Sequence, residues 1–121
     1  MTGGMHAATS SRLRQKIQTL RAERNKLEEQ LLEIRSLLRS PLIAHHTLSG
    51  GRRRSKPAYY LFRRDEGRKR LIYVRQADLE RVRRLVETAR RYRDGLRRLR
   101  LVGVEILAAF KLLRQSQEDR P

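Results

Sequence analysis

Cysteine is absent from these 121 residues. Its absence removes disulfides and thiolate metal ligands, and with them any need for an oxidising compartment. Aromatic residues make up only 5% of the chain and apolar residues 38%, which permits a thin core and favours long helices sharing a narrow seam over a globule. No apolar run reaches the roughly 18 residues that a bilayer span needs, and no N-terminal stretch has the form of a signal peptide. The expectation is a soluble cytoplasmic protein that does not bind membranes, nucleoid-associated if its ligand is DNA. Catalytic constellations are also missing. Gly50 and Gly51 are an isolated pair rather than a phosphate loop, and no Ser-His-Asp or Cys-His spacing is present. Asp65 and Glu66 sit side by side in a turn, where closing the loop suits them better than paired acid-base work. His45 and His46 are adjacent, but no cysteine or nearby carboxylate completes a metal set. The chain reads as a non-enzyme with no metal and no cofactor.

Acids are scarce as well, 13 against 30 Lys and Arg, leaving a net charge of +17. A partner dense in phosphates is the first expectation. The surplus is uneven: residues 51–75 hold 10 basic and 2 acidic residues, and residues 76–100 hold 9 and 4, whereas residues 101–121 hold 3 of each. A charge serving only solubility would be scattered.

The chain is organised around residues 51–75, GRRRSKPAYYLFRRDEGRKRLIYVR. Two runs rich in aromatic and β-branched residues flank Asp-Glu-Gly, so the segment reads as a basic β-hairpin over 58–75. A three-residue loop would pair Arg64 with Arg68, Tyr60 with Ile72 and Tyr59 with Tyr73. A two-residue Glu-Gly loop would slide that pairing by one residue and swap the faces of one strand. In either register the hairpin is apolar at its root and cationic at its tip. Tyr59 or Tyr73 could stack on an unpaired base, though a root position favours core packing for each.

Residues 1–10 read as a disordered start, followed by a helix over 11–40 that Ser10 or Ser11 can cap. Leu13, Ile17, Leu20, Leu27, Leu31, Ile34 and Leu38 alternate steps of four and three, with Arg24 in the one missing place. That period marks a coiled-coil-like seam rather than a lone surface helix. Pro41 stops the helix, and 41–57 reads as a basic loop. A second helix spans 76–117. Its seam runs through Leu79, Val82, Val86, Ala89, Arg93 and Leu96, with Leu85, Tyr92 and Leu99 on the flank. Past Gly95 the seam shifts to Leu99, Val102, Ile106, Ala109 and Leu113, and the glycine suggests a bend. On the outside, Arg84, Arg91 and Arg98 each follow an acid by four residues, the orientation for an intrahelical ion pair. Arg83, Arg90 and Arg97 form the freer row. Residues 118–121 read as a frayed, disordered tail.

The fold expected is mainly α, in the order α-β-β-α. Two long helices would run antiparallel as a coiled-coil-like stalk, with the basic hairpin at one end. Setting residue 39 opposite residue 77 brings Gln15 near Arg100; pairing of the seams between chains is the competing arrangement. In that register the second helix, about 60 Å long, overhangs the first, about 43 Å long. The overhang is its most apolar part, LVGVEILAAFKLL, in which only Glu105 and Lys111 are charged. Leu101, Val104, Ala108 and Leu112 would then be an oligomerisation face, making the protein a homodimer or larger.

Pro57-Ala58-Tyr59-Tyr60-Leu61, Gly67-Arg68-Lys69 and Tyr73-Val74 complete the pattern of helix, aromatic strand, Gly-basic turn and Tyr-Val strand entering a long helix. Over roughly residues 40–100 the chain resembles an uncharacterised family of small bacterial and archaeal proteins, a domain of unknown function often met beside mobile elements. The resemblance implies a nucleic-acid context. The family's cysteines are missing here, so any metal role they imply does not carry over.

Three functions are compatible with these features: a nucleic-acid-binding accessory protein, a structural or assembly protein using its coiled-coil seam on a protein partner, and a protein bound to anionic membrane. Concentration of charge at 51–100 favours the first, with DNA ahead of RNA as the ligand. Arg63, Arg64, Arg68, Lys69 and Arg70 surround the hairpin tip, and Arg52, Arg53, Arg54 and Lys56 precede it. With Arg75 and the row Arg83, Arg90 and Arg97, these are the candidate phosphate contacts.

Overall fold

The structure, a computed structural model, describes residues 3–47 and 51–119. The elements are α1 (Gly3–Glu33), β1 (Leu42–Thr47), β2 (Arg53–Asp65), β3 (Arg68–Val74), a 3-10 turn (Gln76–Asp78) and α2 (Leu79–Gln117). The chain is thus mainly helical with an antiparallel sheet between two long helices. It divides into two compact units: one pairs the stretch up to residue 33 with that from residue 93 onward, and the other comprises residues 34–92.

In the first unit α1 and the later part of α2 run antiparallel within one chain. Ile17 is buried with Ala109 and Leu113, and Leu13 packs on them. Leu20 is buried with Val102 and Ile106, joined by Leu27. Val102 has no exposed surface. The seam residues therefore meet inside the chain. The register differs from the expected one. Ser10 meets Ser116 and Leu31 comes against Gly95, which puts Gln15 near residue 111 rather than near Arg100. As a result α1 covers α2 along its apolar end, and no overhang is left.

Two boundaries of α1 also depart from expectation. The helix starts at Gly3 rather than at Ser10 or Ser11; Met1 and Thr2, the rest of the expected disordered start, lie outside the described residues. Ser10 does not cap the helix. It is buried, and its hydroxyl lies 2.8 Å from that of Ser116. The Ser116 hydroxyl donates its one proton to the Leu113 carbonyl, so Ser10 is the donor of the pair. At the other end the helix stops at Glu33, well before Pro41. Ile34, Leu37 and Leu38 belong to the second unit and are half-buried there. The Leu38 N–H donates to the Leu85 carbonyl at 3.0 Å, so tertiary burial overrides local helix preference.

The second unit holds a three-stranded sheet in the order β1-β2-β3, where a two-stranded hairpin was expected. Most of the 41–57 segment read as a loop is strand: β1 and the start of β2. Residues 48–50 fall outside the described residues. β1 pairs with β2 from Leu42↔Leu61 to His45↔Ala58, then slips before Thr47↔Arg53. Pro57, which has no N–H to offer, sits at that slip and beyond the end of the β3 ladder, the kind of position a strand proline tolerates. α2 ends at Gln117, and the described part of the tail beyond it has no regular structure.

Candidate nucleic-acid interface

The hairpin turn sets the site. β2 and β3 pair from Tyr59↔Val74 through Tyr60↔Tyr73 and Phe62↔Leu71 to Asp65↔Arg68. This is the register of the two-residue Glu-Gly loop, not of the three-residue loop favoured on sequence. Glu66 and Gly67 both have positive φ, 50° and 76°, the type I′ geometry whose twist matches that of the strands it joins.

Alternation along the paired strands assigns the faces. One face carries Ile43 and His45, then Ala58, Tyr60, Phe62 and Arg64, then Tyr73, Leu71 and Lys69. The other carries Leu42 and Ala44, then Tyr59, Leu61, Arg63 and Asp65, then Val74, Ile72, Arg70 and Arg68. The second face meets the start of α2: the Arg83 guanidinium lies over the Tyr59 ring, 4.8 Å from its centroid, a cation-π contact. Val74 and Leu79 are buried in the same unit.

The first face is open along β3, although Ala58 on β2 is buried. Tyr73 is 57% and Leu71 49% exposed. An aromatic row crosses all three strands on it. His45 and Tyr60 meet edge to face at 5.2 Å, and Tyr60 and Tyr73 at 5.6 Å. Sequence reading favoured core packing for both Tyr59 and Tyr73. Tyr59 is indeed half-buried and held by Arg83, whereas Tyr73 faces solvent. The slipped register accounts for the difference, since it pairs Tyr73 with Tyr60 rather than with Tyr59.

The tip differs in charge between the faces. On the second face Asp65 accepts from Arg70 at 3.3 Å and lies 3.3 Å from the Arg63 guanidinium. Both pairs are well exposed, so they hold geometry more than they stabilise. On the first face Arg64 and Lys69, paired in the ladder, have no ion-pair partner among the described residues. Arg64, Asp65, Glu66, Arg68, Lys69 and Arg70 line a shallow concavity around the turn. Of the remaining candidates, Arg52, Arg53 and Lys56 are exposed, and Arg54 lies within β2. The Arg75 side chain donates to Asp78 at 3.2 Å.

The helix arginines do not follow the expected rows. Arg83, assigned to the free row, is engaged by Tyr59; Arg90 and Arg97 are exposed with no ion-pair partner among the described residues. The i,i+4 pairs expected for Arg84, Arg91 and Arg98 are replaced by other contacts at two of these positions. Arg91 bonds Thr88, and Asp94 pairs with Arg93. Arg98 reaches across to α1, where it donates to both carboxylate oxygens of Glu23 at 2.5 and 2.9 Å, and it also lies 3.6 Å from Glu105. The hydrogen bond from Arg98 holds the Glu23 carboxyl below its ordinary value against the opposing effect of desolvation.

The expected oligomerisation residues are exposed: Leu101 50%, Val104 60% and Leu112 52%, with Ala108 exposed beside them. Leu107 and Phe110 are exposed as well, at 57% and 49%, but they turn away from this stripe, Phe110 to the opposite side of the helix. No helix among the described residues is long and apolar enough to cross a membrane. No family model, curated protein or solved structure matches this chain.

Proposed function

We propose that the chain is a non-enzymatic nucleic-acid-binding accessory protein that grips the phosphate backbone, DNA in the first instance, with the tip of the β2–β3 hairpin. The carrying observation is the tip itself. β1 pairing ends at Leu42↔Leu61, so residues 63–70 project as a two-stranded ribbon bearing Arg63, Arg64, Arg68, Lys69 and Arg70, all exposed. Of its two acids, Asp65 is engaged by Arg63 and Arg70, which leaves Arg64, Arg68 and Lys69 for phosphates. Arg90 is a further exposed cation of the same unit. If about six phosphates are held, log affinity should fall with log salt at a slope near −5 on duplex DNA and near −4 on a single strand. Replacing the five tip cations with alanine should flatten that slope; equal affinity and equal slope in the variant would refute the proposal.

One observation also favours an assembly component: the exposed apolar residues of α2. The occupant that suits them is a second copy of this chain. Residues 101–113 carry one acid and one base, Glu105 and Lys111, so two such faces can meet without bringing cations together in a protein of net charge +17.

A further inference from the structure

The open face of the sheet presents a ring to solvent where the tip presents charge. We infer that this face is a stacking site for unpaired bases, so that the nucleic acid bound is single-stranded. The inference rests on the phosphate-gripping proposal above and adds the state of the strand.

Three observations carry it. Tyr73 is 57% exposed on an ordered strand, an unusual placement for an aromatic in a chain with only 5% of them. It is not loose: Tyr60 holds it edge to face at 5.6 Å, and His45 buttresses Tyr60 from the other side at 5.2 Å. A ring fixed this way loses little freedom on binding, and its exposure leaves room for a ligand. Next, Arg64 and Lys69 lie on the same face, four residues along β2 and β3 from the Tyr60↔Tyr73 pair. Four residues of strand span roughly 13 Å, about two nucleotides of an extended strand. Bases at the root and phosphates at the tip can thus be engaged by one strand lying along the sheet. Finally, the ring on the opposite face, Tyr59, is half-buried and lies under the Arg83 guanidinium, so Tyr73 is the tyrosine of the sheet that offers an exposed ring. A duplex hides its base faces and could use the tip alone, whereas an unpaired strand can use both. Stacking addresses the π face that every base has, so deoxy- and ribo-strands present the same chemistry.

The test uses the full chain and fluorescein-labelled oligothymidine, oligouridine and a hairpin duplex of equal charge, with affinity read by anisotropy at two salt concentrations. The unpaired strands should bind more tightly than the duplex. Tyr73→Ala should weaken them roughly 5- to 150-fold, the range for loss of one stacked base. The salt slope and the duplex affinity should stay unchanged, and Tyr73→Phe should restore binding. Whichever of oligothymidine and oligouridine binds better identifies the strand used. A duplex bound at least as tightly as the unpaired strands, or a Tyr73→Ala variant that binds all three probes like the parent, would overturn the inference and leave the phosphate grip standing. Failure of every probe to bind would refute that grip and the inference with it.

Discussion

Glu23 and Arg98 show how a polar pair narrows a helix register that apolar periodicity leaves open. Apolar seams repeat every seven residues, so sliding one helix past the other by a heptad returns a similar seam. A slide one way would set Glu23 against Glu105, which the pair excludes, and the other way against Arg91, which the Ser10–Ser116 and Leu31–Gly95 contacts exclude. Arg98 keeps Glu105 within 3.6 Å, so Glu23→Gln would remove the pair without stranding the guanidinium. The pH dependence has a definite sign. Glu23 is held below its ordinary value in the folded chain, chiefly by the Arg98 hydrogen bond. Its contribution is therefore complete above the unfolded-state value, about 4.3, and is lost as pH falls through the lower folded-state value. The melting temperature of Glu23→Gln should lie below that of the parent at pH 7, and the gap should close as the pH is taken below about 4. A gap independent of pH would mean that the pair contributes nothing through its charge. Ser10 with Ser116 and Leu31 with Gly95 fix the same register through other chemistry. A Cβ on Gly95 would come within 3.0 Å of the Leu31 side chain.

Turn chemistry decides the hairpin in the same way, at the scale of the element. The type I′ turn asks for positive φ at two positions, and only Gly67 takes it without cost. Glu66, at φ 50°, bears a penalty that asparagine largely avoids. Glu66→Asn should therefore stabilise the hairpin by up to about 1 kcal/mol. Gly67→Ala should cost about 1 kcal/mol, although its new Cβ meets open space. Amide exchange across β2 and β3 would register both; a neutral Gly67→Ala would show that backbone strain is not what holds the register. The Glu-Gly dipeptide is a weak turn signal beside Asn-Gly, which is why the sequence favoured the three-residue loop. The third strand was hidden for a related reason. Leu42, Ile43 and Ala44 are consecutive and show no alternation, and Pro41 and the glycines around them read as loop punctuation. α2, by contrast, was legible almost to its ends. Its apolar spacing shifts phase after Gly95, and the structure buries Val102, Ile106, Ala109 and Leu113 while leaving Leu96 48% exposed. That shift falls beside the passage of the helix from one unit into the other, at residues 92 and 93, and the helix is unbroken across Gly95. The tip cations and the exposed stripe of α2 could be read from composition and spacing. The row of His45, Tyr60 and Tyr73 could not, because it exists only in the register that the turn selects.

For the whole molecule the decisive quantities are a net charge of +17 and an apolar helix face with the wrong neighbours. Leu101, Val104, Ala108 and Leu112 follow one another by three or four residues and form a continuous stripe. They lie off the face that α1 covers, where Val102, Ile106, Ala109 and Leu113 are buried. The stripe's exposed apolar surface is on the order of 300 Å², the size of the largest patch on a typical monomer and often functional. Two copies meeting through it would bury roughly 600 Å² of this stripe in total, below the usual size of a specific interface. The dimer should accordingly be weak, with dissociation in the micromolar range or above, and it should carry a salt signature opposite to that of nucleic-acid binding. Added salt screens the repulsion between two chains of +17 and strengthens burial of the neutral stripe, while it weakens every phosphate contact. Light scattering at tens of micromolar should show a mass above 14.3 kDa that rises with salt, and Leu112→Glu should return it to that of the monomer. A monomer at every salt concentration would rule out self-association. A dimer that dissociates as salt is added would place its interface among charged residues rather than on this stripe. Where dimers do form, each strand of nucleic acid meets two hairpin tips instead of one, and the second engagement gains from the high local concentration of the first. Leu112→Glu should then weaken binding to a long oligothymidine much more than to one short enough for a single tip.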